Sequence, residues 1–347
     1  MSGRLGALSG QALAIVLALA LGAVVVLAVG ESPTNVLVTL INGAFGSPER
    51  IAGTLLQATP ILVCGIAACI SLRGGLFNIG IEGQLFMGGF AAAWVGFSFS
   101  LPPFVHMLAA IASAALAGLL WIAIPAWFRA RYNTNEVVST ILTNYVAVLI
   151  TSYLTINIFK APGGLSETPP ILPSAHLPEL FSFSRLNWGL VIGLALAVAV
   201  HFFFQRTARG YAISEMGANP RFAEYGGIDI KRQCLFVLLA SGAVGGLAGG
   251  IEALGVHHRF MEGFAPGFGF DGVIAALLAN GSPLGTIATA LFFGALRNGS
   301  LLLEVDTTAS REIITVVQAL IILAVSAEIT IRRKAGDSTA GERRWKF

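Results

Sequence analysis

The stretch LRGGLFNIGIEGQLFMGGF at 72–90 sets Asn78, Glu82 and Gln84 among paired glycines and apolar side chains. A carboxylate in such surroundings has three chemical uses. It can load and release a proton, contact a polar solute, or cap the ends of an interrupted helix, with Asn78 and Gln84 supplying hydrogen bonds. Proton coupling requires the charge, whereas passage of a neutral solute does not. Glu252, after the small-residue run AVGGLAGG, is a second carboxylate of this kind near a helix end, and Asp271 reads as a helix N-cap. Asn135 and Glu136 carry a double reading, helix cap or pathway lining. With Asn144 and Asn280, the latter in the turn ANGSPLG, they complete the candidate pathway or broken-helix residues. His257 and His258 fall in a loop that could meet an external protein.

No motif for covalent or metal chemistry accompanies these groups. The sequence has no HExxH, no G-x-S-x-G elbow and no GxxxxGK[ST] phosphate loop, and Cys64, Cys69 and Cys234 lie in apolar runs without ligand spacing. The expectation is therefore a chain that is not an enzyme, with no catalytic, cofactor-binding or metal residue.

The elements that hold these residues follow from composition. Hydrophobic residues make up 55% and charged residues 11% of the 347-residue chain, and the mean hydropathy is +0.79. Soluble domains carry about a quarter charged residues. The chain therefore belongs in a bilayer, and its 41 glycines suit helices that pack backbone to backbone there. The net charge of +3 fits basic loops on one side of the membrane; aromatic residues do not interleave with the basic ones as single-strand nucleic-acid binding requires.

Hydropathy predicts an all-α polytopic membrane protein of about ten transmembrane helices, at roughly 11–30, 51–72, 76–97, 104–128, 136–158, 188–205, 234–256, 271–280, 284–300 and 311–330. The whole chain, 1–347, reads as a single transmembrane domain with spans over about 11–330. Two spans are expected to be short or broken, where the 72–90 segment and the NGSP turn interrupt the helical pattern; such backbone is tolerated at depth only where protein or water satisfies it. The two breaks sit in four-span blocks that enter from opposite sides, the topology of an inverted repeat. An even number of spans with Arg4, Arg73, Arg129, Arg131, Arg206, Arg209, Arg221, Lys231 and Arg232 on one side predicts cytoplasmic N and C termini. It also places a basic tail, 331–347, in the cytoplasm and the proline-rich loop 159–187 outside.

The cytoplasmic loop 206–232, RTARGYAISEMGANPRFAEYGGIDIKR, is long and structured for a link between spans. Asn219 as cap and Pro220 at the first helical position predict a short helix over Pro220–Tyr225, ended by Gly226 and Gly227. Arg221 and Glu224, three positions apart, share a face. Such a capped helix suits a docking surface.

Three stretches together, LRGGLFNIGIEGQLFMGG at 72–89, NTNEVVSTILTNYVA at 133–147 and RTARGYAISEMGANPRFAEYGGI at 206–228, resemble the permease subunits of ATP-binding-cassette importers for sugars, branched-chain amino acids and nucleosides, over most of residues 50–330. The wording NEVVSTILTNY and the long outer loop look most like the nucleoside-type permeases. The resemblance implies a fold like that of vitamin B12 importer permeases, in a bacterial inner membrane. It implies a second permease subunit, commonly a different and related chain, and an external solute-binding protein. ATPase subunits on separate chains would hold ATP and Mg. Gly217, Asn219, Pro220, Arg221, Ala223, Glu224, Tyr225 and Gly227 would then form the ATPase-coupling helix and its flanks. A simple sugar such as ribose is the alternative solute. A proton-coupled secondary transporter using Glu82 or Glu252 is the alternative mechanism, and a membrane enzyme or a passive channel fits the residues less well.

Overall fold

The computed structural model describes residues 32–306 apart from Gly164 and Pro266, together with Leu27. The expected tenth span, the basic tail and, apart from Leu27, the first span lie outside the described residues.

The helices are α1 (Pro33–Phe45), α2 (Pro48–Arg73), α3 (Ile81–Ser98), α4 (Pro103–Tyr132), α5 (Glu136–Tyr153), α6 (Gly189–Arg206), α7 (Ala208–Ala218), α8 (Pro220–Tyr225), α9 (Ile230–Glu252), α10 (Phe268–Leu278) and α11 (Pro283–Asp306). A π-helical turn extends α5 over Leu154–Ile158 and another extends α9 over Ala253–His257. Six of these segments are long and apolar enough to cross a membrane: Pro48–Arg73, Pro103–Tyr132, Glu136–Ile158, Gly189–Arg206, Ile230–His257 and Pro283–Glu304. The protein is an all-α polytopic membrane protein, and each expected span from the second to the ninth coincides with a helix.

The described residues form two compact units, 48–294 and the flanking 32–47 with 295–306. In the flanking unit a Cβ on Gly43 would stand 2.9 Å from the Gly299 backbone, and the Asn298 side-chain amide donates to the Gly43 carbonyl at 3.0 Å.

The larger unit is built around contact between the backbones of α3, α4 and α9. A Cβ on Gly88 would fall 2.2 Å from the Gly246 carbonyl oxygen, one on Gly118 2.2 Å from that of Gly242, and one on Gly249 1.9 Å from that of Leu85. Lipid supplies no hydrophobic drive between helices, so close packing of small residues does the work instead. Cys64, Cys69 and Cys234 are buried in this interior and form no disulfide.

Four sequence expectations change in detail. The third span begins at Ile81 rather than 76, because Gly75, at φ +70°, ends α2 and residues 76–79 run without regular structure. The fourth extends to Tyr132, where Asn133 takes the left-handed cap conformation. Helix α10 begins at Phe268 with Gly267 as its cap, so Asp271 lies inside the first turn rather than capping it. The 206–232 loop holds a second helix, α7, whose Thr207 side chain accepts from the Gly210 amide; the glycines and aromatic residues there mask a helical period.

Contacts fix the depth of two helix starts. The Asn78 side-chain NH2 donates to Ser241 Oγ, which in turn donates to the Ala67 carbonyl. The segment after Arg73 has therefore climbed back beside the last turns of α2, by about 9 Å at 1.5 Å per residue. Gly272 packs on Gly65, and the Arg73 Nε donates to the Gly281 carbonyl at 3.1 Å. These pairings make α10 run parallel to α2, with Phe268 level with residues near the middle of Pro48–Arg73. Helix α10 is a half-span whose N-terminus opens at mid-depth.

On the far side from Arg73, loop 159–187 is stitched to the segment after α9. The Thr168 amide donates to the Phe260 carbonyl at 2.9 Å, Ile171 to His258 at 2.8 Å and Leu177 to Leu254 at 3.0 Å, and Glu167 pairs with Arg259.

Candidate functional site

The interruption between α2 and α3 is clamped by one face of α5. Glu136, Thr140 and Asn144 recur every fourth residue and so lie above one another on the helix. Thr140 Oγ1 accepts from the Ile79 amide at 3.2 Å. The Asn144 side chain accepts from the Gly83 amide and donates to the Ile79 carbonyl, both at 2.8 Å. Glu136 Oε1 lies 3.4 Å from the Phe77 amide, while its other oxygen holds Arg129 at 3.2 Å. Asn135 starts the helix, accepting from the Val137 amide at 2.9 Å. Side chains of α5 thus take over the backbone pairing that the break gives up, which the bilayer interior demands.

Asn78 and Gln84 close an amide pair, each side-chain NH2 donating to the other's oxygen at 3.1 Å. Asn78 Oδ1 also accepts from the Gly80 amide at 2.9 Å. Both residues are buried, and their polar atoms are used within the protein.

Glu82, in the first turn of α3, is buried and points across to α10. Its Oε1 accepts from the Gly267 amide at 2.7 Å and its Oε2 from the Gly269 amide at 2.6 Å. Only a glycine fits at 269, where a Cβ would stand 2.5 Å from the Glu82 amide nitrogen. Free amides and the helix dipole make that N-terminus an anion site, and Glu82 fills it with short, charge-assisted bonds.

The second polar cluster lies at the Arg73 end. Asn219 caps α8 by accepting from the Phe222 amide at 3.1 Å, Pro220 occupies the first helical position, and Gly227, at φ +81°, closes the helix. Ala223 is buried, whereas Phe222 and Tyr225 are 64% and 93% exposed. Gly217 touches the first break, since a Cβ there would lie 2.2 Å from the Arg73 carbonyl oxygen. Between α8, the end of α4 and the start of α9 opens a cleft of about 890 Å³, lined by residues that include Gly75, Arg131, Gly217, Arg221, Glu224 and Lys231.

The structure thus brings Asn78, Glu82, Gln84, Glu136 and Asn144 together around the break between α2 and α3 and gathers the 217–227 residues around α8. Asn280 stands apart as an exposed left-handed turn residue after α10. Glu252 is elsewhere too, with Oε2 3.6 Å from His257 Nε2. Sequence reasoning passed over Thr140, Ser241 and Arg73. The four-residue spacing of Thr140 from Glu136 and Asn144 was the available signal for one of them.

Residues 50–326 match the family described as branched-chain amino acid transport system / permease component. The chain belongs to this permease family. Among its relatives is the guanosine ABC transporter permease protein NupP of Bacillus subtilis, 35% identical, covering 95% of this chain and 96% of NupP. The nucleoside ABC transporter permease protein NupB of Lactococcus lactis subsp. cremoris is 31% identical over 92% of this chain and 90% of its own. The glucose ABC transporter permease protein TsgB13 of Haloferax volcanii is 30% identical over 96% and 94%. The three motif stretches of this permease are therefore the clamp partner 72–89, the clamp itself 133–147, and the α7–α8 region 206–228.

Proposed function

We propose that this permease carries nucleosides inward as the membrane-spanning subunit of an ABC importer, with ATP and Mg held on separate ATPase subunits and solute delivered by an external binding protein. One observation carries the mechanism. Each Glu82 oxygen accepts a backbone N–H at the start of α10, so the carboxylate at mid-depth has a structural task that needs its charge, and proton coupling is not required to account for it. The exposed rings of α8 supply the surface on which an ATPase pushes, and Gly217 passes that displacement to the clamped break. In this reading the Arg73 end, rich in arginine and lysine, faces the cytoplasm of a bacterial cell with both termini on that side. A second, related permease chain completes the pathway.

The nucleoside assignment draws on the similarity to the nucleoside permeases NupP and NupB; similarity to the glucose permease TsgB13 favours a simple sugar as the second reading. Uptake of labelled guanosine, ribose and leucine in a null strain and its complemented partner separates the readings. Guanosine uptake that stops when ATP is depleted and survives collapse of the proton gradient supports the proposal. Uptake lost with the gradient while ATP remains overturns the mechanism, and ATP-dependent uptake of ribose alone moves the solute.

A further inference from the structure

Three spans of the larger unit present a broad exposed face, and α5 differs from the other two. On α4 the residues exposed around mid-span are Leu116, Leu120 and Ile124; on α6 they include Leu194 and Val198. Both faces are apolar through the centre, as lipid requires. On α5 the exposed mid-span residues include Leu142, Val146, Leu149 and Ile150, but among them stands Tyr145, 68% exposed, in a row 145, 149, 153, 157 that reads Tyr145, Leu149, Tyr153 and Asn157. It lies within two residues of the middle of Glu136–Ile158, about 13 Å from the Glu136 end and about 20 Å from the Ile158 end at 1.5 Å per residue.

A tyrosine hydroxyl at that depth is too far from either headgroup layer to reach water along the lipid face, and tyrosines in contact with lipid collect at the membrane interfaces for that reason. Among the described residues the Tyr145 hydroxyl has no hydrogen-bond partner in the chain. The comparison within the fold is Trp121, also within the central part of its span, which gives its indole N–H to the Thr143 carbonyl at 3.3 Å. The row that carries Tyr145 adjoins the row that clamps the break through Glu136, Thr140 and Asn144.

We propose that Tyr145 faces a water-filled solute path along the exposed row of α5, closed on its other side by the second permease subunit, and that its ring stacks on the base of a passing nucleoside. The solute class rests on the function proposed above; the exposure of Tyr145 to water does not. A single aromatic wall suits a solute that must leave again, because stacking is tolerant of base identity and demands no fixed hydrogen-bond set. The phenol adds one rotatable donor and acceptor for a hydroxyl of the sugar.

The test is thiol labelling of the assembled importer in membranes, with single variants Tyr145→Cys, Leu116→Cys and Val198→Cys and a charged methanethiosulfonate reagent. The native thiols are buried. Because the thiolate reacts and lipid suppresses its formation, Tyr145→Cys should label at least about ten-fold faster than either control. Guanosine should slow that labelling and ribose should not. Labelling of Tyr145→Cys no faster than the controls overturns the path. Labelling that guanosine leaves unchanged, in an importer shown to take up guanosine, overturns the stacking contact. A wild-type importer that takes up no guanosine fails the proposed solute instead, while the comparison with the two controls still decides whether Tyr145 meets water. Tyr145→Phe, which loses only the hydroxyl, should reduce guanosine uptake less than Tyr145→Leu, which removes the ring as well and should reduce it several-fold; equal uptake by both would also overturn the contact.

Discussion

The Glu82 carboxylate lies 2.6 Å from the Gly269 amide and caps, from another helix, the start of a half-span 187 residues further along the chain. A helix N-terminus opening at mid-depth would otherwise attract an anion. With a protein carboxylate already there, the site is filled from within, and the pathway gains no fixed attraction for anionic solutes at that point.

Glu82→Gln keeps the shape but replaces one accepting oxygen with an NH2 that faces an amide donor. Loss of a charge-assisted bond and the remaining mismatch should cost about 2–3 kcal/mol. The expected outcome is a lower thermal midpoint in detergent and slower uptake, with the dependence of uptake on the proton gradient unchanged. Wild-type uptake that needs the gradient and is lost in Glu82→Gln would assign Glu82 to proton coupling instead.

Asn144→Ala removes an acceptor from the Gly83 amide and a donor from the Ile79 carbonyl together. Two buried backbone groups lose their partners, and the expected destabilisation is about 2–4 kcal/mol. Thermal unfolding of the purified permease checks it. The neighbouring exposed Leu142→Ala serves as a control that should leave the midpoint nearly unchanged.

Phe222→Ala and Tyr225→Ala truncate exposed rings on α8. They should leave stability within about 0.5 kcal/mol, as surface substitutions do, while reducing co-purification of the ATPase. Glu224→Lys should uncouple or detach the ATPase in the same way. Normal co-purification and transport in all three variants would remove α8 from the coupling surface.

Burial pushes the His258 imidazole below its usual range, and the stacked His176 ring at 3.8 Å, with Arg185, acts in the same direction against Glu179 and a backbone bond to Leu254. The folded loop therefore holds His258 neutral, while the unfolded segment takes up a proton near the ordinary histidine value of 6.5. Its contribution is complete above that value and is lost as pH falls from there toward the lower folded pKa. Hydrogen exchange over residues 165–187 should accelerate between pH ~7.5 and ~5.5 beyond its intrinsic pH dependence. His258→Asn, which tolerates the left-handed backbone at this position, should flatten that response.

Much of this architecture can be read from residue types. Asn219, Pro220 and the Gly226–Gly227 pair announce α8 because capping chemistry is local. The apolar runs announce the spans because the bilayer imposes a length. What residue types alone leave open is which side chain answers which broken backbone group. Glu82 meets α10 across a long stretch of chain, and Ser241 links Asn78 to Ala67; neither contact has a local signature. Hydropathy places the start of α3 five residues early because Leu76, Phe77 and Ile79 are as apolar as the helix that follows, and it does not register hydrogen-bonded geometry.

The glycine seam of α3, α4 and α9 carries a mechanical consequence. Where main chains touch, with Gly249 against Leu85 and Gly118 against Gly242, no side chains stand between the helices that could change rotamer and take up a displacement. These three helices therefore form a rigid plate. Any alternation of access has to swing other pieces around that plate, at joints such as the Gly226–Gly227 pair, rather than reshuffle its interior.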